Sequence, residues 1–256
     1  IKEVLEKENF MNQILVTKKL YITPELKRKK KIYKFYFFLS VFLVFILISF
    51  YIYAEYDRNK SEETSQAILS DFDQEADNTI AKNNVLIAVL DDVNDPNNGA
   101  VVEEPQPTVN KTKVESTSDG FNYSTIASIN IPKINVNYPI LDGQTDSVEE
   151  TEALLKISPT KFWGPEPNEV GNFCIVGHNY RNTKFFSKVP TLENGDIIEI
   201  TDSSGRTIQY SVYDKYEVVP EDLSCTSQLT DGKKEITLIT CTNDSKMRVI
   251  VKASAI

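Results

Sequence analysis

Histidine occurs once in the 256-residue chain, at position 178, and cysteine only three times, at 174, 225 and 241. Any chemistry that needs imidazole or thiolate therefore has very few places to occur. The three cysteines and the histidine have the ligand count of a zinc site, but no CxxC pair is present and all three thiols would have to converge. A CGSCW-type run, which a papain-like protease would need, is also absent. An excess of positive charge is missing too: 28 Lys and Arg stand against 37 Asp and Glu, a net charge of -9. That balance lacks the electrostatic footprint of a nucleic-acid binder.

What the chain does have is one long uncharged run, residues 35–54, FYFFLSVFLVFILISFYIYA. At 1.5 Å per residue it is roughly 30 Å long as a helix, the thickness of a bilayer's hydrocarbon core. It is apolar on every face and carries tyrosines at both ends, as a spanning helix does at the membrane interfaces. Lys27, Arg28, Lys29, Lys30, Lys31 and Lys34 precede it, and Glu55 and Asp57 follow. By the positive-inside rule residues 1–34 stay in the cytoplasm and everything after 54 is exported. No convincing cleavage site follows Tyr53, so the segment reads as a retained, single-pass anchor. Ten residues precede Met11, which leaves the point where translation starts open.

Residues 55–119 read as an acidic stalk. Over 61–84, Leu69, Phe72, Ala76 and Ile80 recur at helical spacing on a thin stripe, which predicts a solvated helix. The apolar run 85–90 fits either a continuation of that helix or a strand. From 94 to 119 the composition turns to Asn, Pro, Glu, Thr and Ser, the composition of a linker.

Residues 120–256 form the folded domain. Short runs rich in Ile, Val, Tyr and Thr, parted by Gly, Pro, Asn and Asp, predict strands at 126–131, 136–140, 172–177, 196–201, 207–219, 235–241 and 247–253. Helix is expected at 147–156, with a turn or two near 184–189. Many short strands and few helices mean a mainly β domain, a closed or nearly closed barrel.

Cys174 lies inside the apolar run Phe173-Cys174-Ile175-Val176 and reads as a buried core residue. Cys225 falls in a polar stretch and reads as a loop cysteine without consequence. Cys241 differs, because it ends a strand and is followed by the turn Thr242-Asn243-Asp244, so it is held rigidly yet within reach of a substrate. His178 likewise ends an apolar strand, and Arg248 opens the next strand after a short turn. Antiparallel pairing across 243–246 would set Arg248 close to Cys241. A thiol with a pKa of about 8.5 needs a neighbouring base or cation to become a nucleophile. A permanently charged guanidinium suits a developing oxyanion.

These residues resemble the sortase family. Thr237-Leu238-Ile239-Thr240-Cys241 is similar to the TLxTC signature, and Met247-Arg248-Val249-Ile250-Val251 looks like the strand with the essential arginine. Gly171-Asn172-Phe173-Cys174-Ile175-Val176-Gly177-His178 resembles the segment ending in the catalytic histidine. Ile129-Asn130-Ile131-Pro132-Lys133-Ile134, Tyr138-Pro139-Ile140 and Gly195-Asp196-Ile197-Ile198 are similar to further landmarks, in the family's order.

The resemblance implies an eight-stranded sortase-type β-barrel and a cysteine transpeptidase acting on an LPXTG-like sorting signal of secreted proteins. Cys241 would attack the carbonyl between threonine and glycine. His178 would act as general acid and base, Arg248 would position substrate and stabilise the oxyanion, and Thr240 would help line the site. An amine on a peptidoglycan precursor or a pilin would accept the acyl group, and no cofactor or metal is called for. Residues 220–234 match the loop that shapes the sorting-motif pocket. The His178-Asn179-Tyr180 context is similar to class B enzymes, yet the short 219–235 segment has little room for their inserted helix, so a class D-like enzyme fits as well. Protein anchoring is favoured over pilin polymerisation, and a non-catalytic surface-binding barrel is the rival of another kind. Some sortases bind calcium through loop carboxylates, but Glu149, Glu150 and Asp222 read more simply as solvated surface.

Overall fold

The computed structural model describes residues 24–90 and 113–256, apart from residue 146. Contacts divide the chain into two units between Asp57 and Arg58. Both units share one long helix, α1 (Pro24–Leu90), so the run 85–90, ambiguous by length, is helical. In the first unit the apolar side chains of 35–54 are mostly exposed. This helix is long and apolar enough to cross a membrane, with a mean hydropathy of 2.5 over an 18-residue window of which nothing is buried. Of the expected linker, residues 94–112 lie outside the described residues.

The second unit is a β-barrel. Its strands are β1 (Val114–Ser116), β2 (Asn122–Ile131), β3 (Val136–Asp142), β4 (Thr160–Trp163), β5 (Gly171–Val176), β6 (Ile197–Asp202), β7 (Thr207–Val218), β8 (Lys234–Cys241) and β9 (Arg248–Ala255). Eight of them close in the order β2-β3-β4-β5-β8-β9-β7-β6, with β6 pairing back to β2, while β1 only extends the β2 edge. All seven expected strands are present to within a few residues. The sequence pattern missed β1 and β4, which are three and four residues long and too short to show a period.

Alternation sends Ile129, Ile131, Ile198, Ile200, Ile236 and Leu238 into the barrel, where they are fully buried with Phe173, Phe185 and Phe186. At about 25 cal/mol per Å2 of apolar surface, each such side chain contributes roughly 2 kcal/mol. A second cluster lies on the other side of β5, β8 and β9, formed by Cys174, Cys225, Ile239 and Ile250. Residues facing both clusters make β5 apolar from Phe173 to Val176, which is why its sequence shows a run rather than an alternation.

The α1 residues after Asp57 belong to this unit. Leu69, Phe72 and Ala76, the stripe expected on a solvated helix, are buried, and Ile68 packs with Tyr123, Leu141 and Leu154. Ser65 donates to Ser158 Oγ at 2.9 Å, and Ser158 donates to the Pro139 carbonyl at 2.6 Å.

Helix α2 (Val148–Leu155) is capped by Ser147, whose hydroxyl accepts from the Glu150 amide. The reading of Glu150 as solvated surface is corrected here, since it is 2% exposed. Its carboxylate accepts from the Gln144 and Thr145 amides at 3.0 and 2.8 Å, so the loop ahead of the helix folds back onto it. Gly143 makes room for that carboxylate, because a Cβ there would lie 2.3 Å from Oε2.

The connection from β7 to β8 is held to β5 by Asn172, which is fully buried. Its Nδ2 donates to the Cys225 and Ser227 carbonyls at 2.9 and 3.1 Å, and its Oδ1 accepts from Thr237 Oγ1 at 2.7 Å. Asn172→Ala would strand the buried Cys225 carbonyl and Thr237 hydroxyl and free the Ser227 carbonyl, with an expected loss of about 3 kcal/mol. Denaturant unfolding of the full chain in detergent micelles measures it, and a loss below about 1 kcal/mol would mean that the loop holds without this residue.

Candidate active site

Cys241 is the last residue of β8 and is half-buried, whereas the five residues before it are buried. The chain then reverses tightly. Thr242 donates its amide to the Met247 carbonyl at 3.0 Å and accepts from the Met247 amide at 3.1 Å through its hydroxyl. This reversal makes Arg248 the register partner of Cys241. Side chains so opposed start from Cβ atoms about 5 Å apart.

β5 runs parallel to β8, with Val176 opposite Ile239. The ladder continues one step, as the Gly177 amide donates to the Ile239 carbonyl at 3.0 Å. Two side-chain bonds then bracket His178. Thr240 Oγ1 donates to the Gly177 carbonyl at 2.8 Å, and Asn179 Nδ2 donates to the Cys241 carbonyl at 2.9 Å. The residues on either side of the histidine are thus bonded to β8, the strand that ends in Cys241. Thr240 itself is 1% exposed, so its hydroxyl faces the protein and joins two strands. Gly177 is required by packing, since a Cβ would lie 2.5 Å from the Phe186 ring.

The His178 ring lies against Tyr180, centroids 5.2 Å apart. Burial depresses its pKa below the ordinary 6.5, the Glu152 carboxylate opposes that shift, and Lys156 adds to it. At neutral pH the imidazole is therefore uncharged and free to accept a proton. Its folded pKa lies below its unfolded one, so the neutral ring's contribution to stability is complete above about pH 6.5 and is lost as pH falls toward the folded pKa. Unfolding midpoints are expected to fall between pH 7.5 and 5.5, with a flatter slope in His178→Asn. An unchanged slope in that variant would assign the dependence to another group.

The other two thiols are unlike Cys241. Cys174 is fully buried, and burial together with the neighbouring Cys225 pushes its pKa up to about 12. Cys225 is in the loop as expected but is 2% exposed, and burial and Asp222 raise its pKa. Both remain protonated thiols. Among the described residues no three His, Cys, Asp or Glu side chains converge in the manner of a metal site.

A cleft of about 380 Å3 opens beside this constellation, floored by Val176, Ile239 and Ile250, walled by Leu155 and Leu223, and including Arg248. Its floor is the outer apolar cluster of the barrel, and the β7–β8 connection stapled by Asn172 forms part of its wall. An extended peptide with apolar side chains fits such a floor. The resemblance pointed to residues 220–234 as a pocket-shaping loop, and the Asn179 bond to Cys241 was not legible in the sequence. The adjacency of Asn179 to His178 was the one available signal.

The family model of the sortase domain matches residues 129–256, the second half of the chain. The sortase D5 transpeptidase of Clostridium perfringens is 35% identical, covering 52% of this chain and 79% of its own, with a TM-score of 0.45. Sortase A of Corynebacterium diphtheriae is 30% identical, covering 52% of this chain and 60% of its own, with a TM-score of 0.44. Sortase A of Streptococcus agalactiae is 26% identical over 134 residues, 52% of this chain and 53% of that protein. The chain thus spans about half the length of the curated relative it matches.

Proposed function

Because the chain belongs to the sortase family, we propose that it is a membrane-anchored cysteine transpeptidase that cuts an LPXTG-like sorting signal between threonine and glycine. The observation that carries this reading is the register pairing of Cys241 with Arg248, beside a His178 bracketed by bonds to Thr240 and Cys241.

The sorting signal lies extended over the apolar floor with its scissile carbonyl at Cys241. Neutral His178 takes the thiol proton, and the thiolate attacks the threonine carbonyl carbon. Negative charge gathers on the carbonyl oxygen and Arg248 stabilises it. His178 then returns the proton to the departing glycine amine as the C–N bond breaks, leaving a thioester on Cys241. An amine of a peptidoglycan precursor or pilin attacks that thioester, gives its proton to His178, and releases the thiolate. Thr240 serves by holding Gly177 and hence His178. Asn179 does the same from the other side.

The basic residues before the span support a cytoplasmic amino end by the positive-inside rule, with the barrel working outside the membrane on secreted proteins. The test is to mix the full chain in detergent micelles with a panel of LPXTG-like peptides and amine acceptors and follow products by mass spectrometry. A peptide thioester on Cys241 and an amine-linked product are expected. Cleavage without transfer to any amine would make the protein a hydrolase. No cleavage and no thioester across the panel would leave a surface-binding barrel.

A further inference from the structure

The segment of α1 directly after the membrane run is in contact with the loop that carries His178. The Arg58 guanidinium carbon lies 5.5 Å from the centroid of the Tyr180 ring, and Tyr180 is the ring packed on His178. One helical turn later, Glu62 pairs with Lys184 at 2.7 Å, where the Lys184 side chain is only 12% exposed. Lys184 also donates to Asn59. Glu62 in addition accepts from the Tyr138 hydroxyl at 3.3 Å, and that hydroxyl accepts from the Phe185 amide at 3.2 Å. Gln66 continues the series by donating to the Asn137 carbonyl at 2.9 Å.

The loop needs such support. Arg181 and Phe185 have φ of 57° and 49°, left-handed conformations that a non-glycine residue holds only where its surroundings impose them. Tyr180 is braced from inside by Phe185, ring centroids 5.4 Å apart, and Phe185 stacks on Tyr138 at 4.9 Å. The α1 contacts close the assembly from outside. Positions 58, 62 and 66 are spaced by four residues, so they share one helix face.

We propose that Arg58 and Glu62 are positioning residues for the reaction: the juxtamembrane turn of α1 fixes Tyr180 and Lys184, and through them sets the orientation of the His178 imidazole. The chemistry assigned to His178 rests on the function proposed above, but the placement of its ring does not. A barrel released from residues 58–66 would bind its peptide and turn it over slowly.

The single histidine gives a direct readout, since a full chain labelled with 13C-histidine shows one imidazole in micelles. In Arg58→Ala/Glu62→Ala its ring signals are expected to shift or broaden, while Gln74→Ala, at an exposed position of the same helix, leaves them unchanged. With a cleaved peptide in hand, the double variant should lose about tenfold in kcat with KM within about twofold, and Arg58→Lys should recover part of the loss by restoring a cation over the ring. Unchanged imidazole signals in the double variant would overturn the proposal, whether or not a substrate has been found. So would an unchanged kcat. If the wild-type chain cleaves no peptide, it is the proposed function that fails, and the imidazole signals still decide the positioning role.

Discussion

Cys241→Ala is expected to remove peptide cleavage, amine transfer and thioester formation together, lowering kcat/KM by about 10^4-fold or more. The three losses coincide because the proposed acyl-enzyme forms and resolves on that sulfur. Cys174 and Cys225 are buried and their thiols are held protonated, so Cys174→Ala and Cys225→Ala test the assignment in the opposite direction. Each should retain a trappable thioester on position 241. Single-turnover mass spectrometry separates the cases. Residual thioester in Cys241→Ala, carried on either other cysteine, would sink the assignment. The expected fold of the alanine variant is native, because a strand-end, half-buried thiol fills little of the core.

Arg248→Ala is the second large loss, about 10^2 to 10^3-fold in kcat, the usual consequence of removing one donor from a developing oxyanion. The register that places Arg248 opposite Cys241 involves backbone alone, so the variant keeps the pairing and loses only the charge and its donors. Arg248→Lys should recover the charge without the planar fork and remain at least about tenfold below wild type. The split between kcat and KM is informative. A loss confined to KM would make Arg248 a binding residue for the sorting peptide, in keeping with its place on the cleft wall. A loss in kcat with KM nearly constant supports the oxyanion role.

Much of the catalytic unit was readable because its signals are local. Strand alternation, the helix expected at 147–156 and the tight reversal over 243–246 all involve residues within a few positions of each other. The Cys241 and Arg248 pairing was therefore within reach, since one short turn joins their strands. His178 was a different case. Its approach to Cys241 depends on β5 and β8 lying side by side in parallel, with β6 and β7 intervening in sequence, and a parallel pair leaves no hairpin signature. In the sequence they were linked only by their shared position at the ends of apolar strands and by the resemblance to a known family. Glu150 was misjudged for a related reason: a carboxylate near an N-cap reads as solvated until the preceding loop folds back to give it two amides.

By itself the sequence determined an apolar run long enough to span a bilayer, a mainly β second half, and one histidine with three cysteines to which thiol chemistry is confined. Each of these is a property of composition or of short-range period. Tertiary structure alone decided that Cys225 is buried, that β6 returns to β2 to close the barrel, that Asn179 and Thr240 tie the His178 loop to β8, and that the helix stripe at 69, 72 and 76 packs in the barrel's unit rather than facing water. Those outcomes join residues tens of positions apart. They are selected by the burial and hydrogen-bond satisfaction of the whole fold, a choice that no window of neighbouring residues contains.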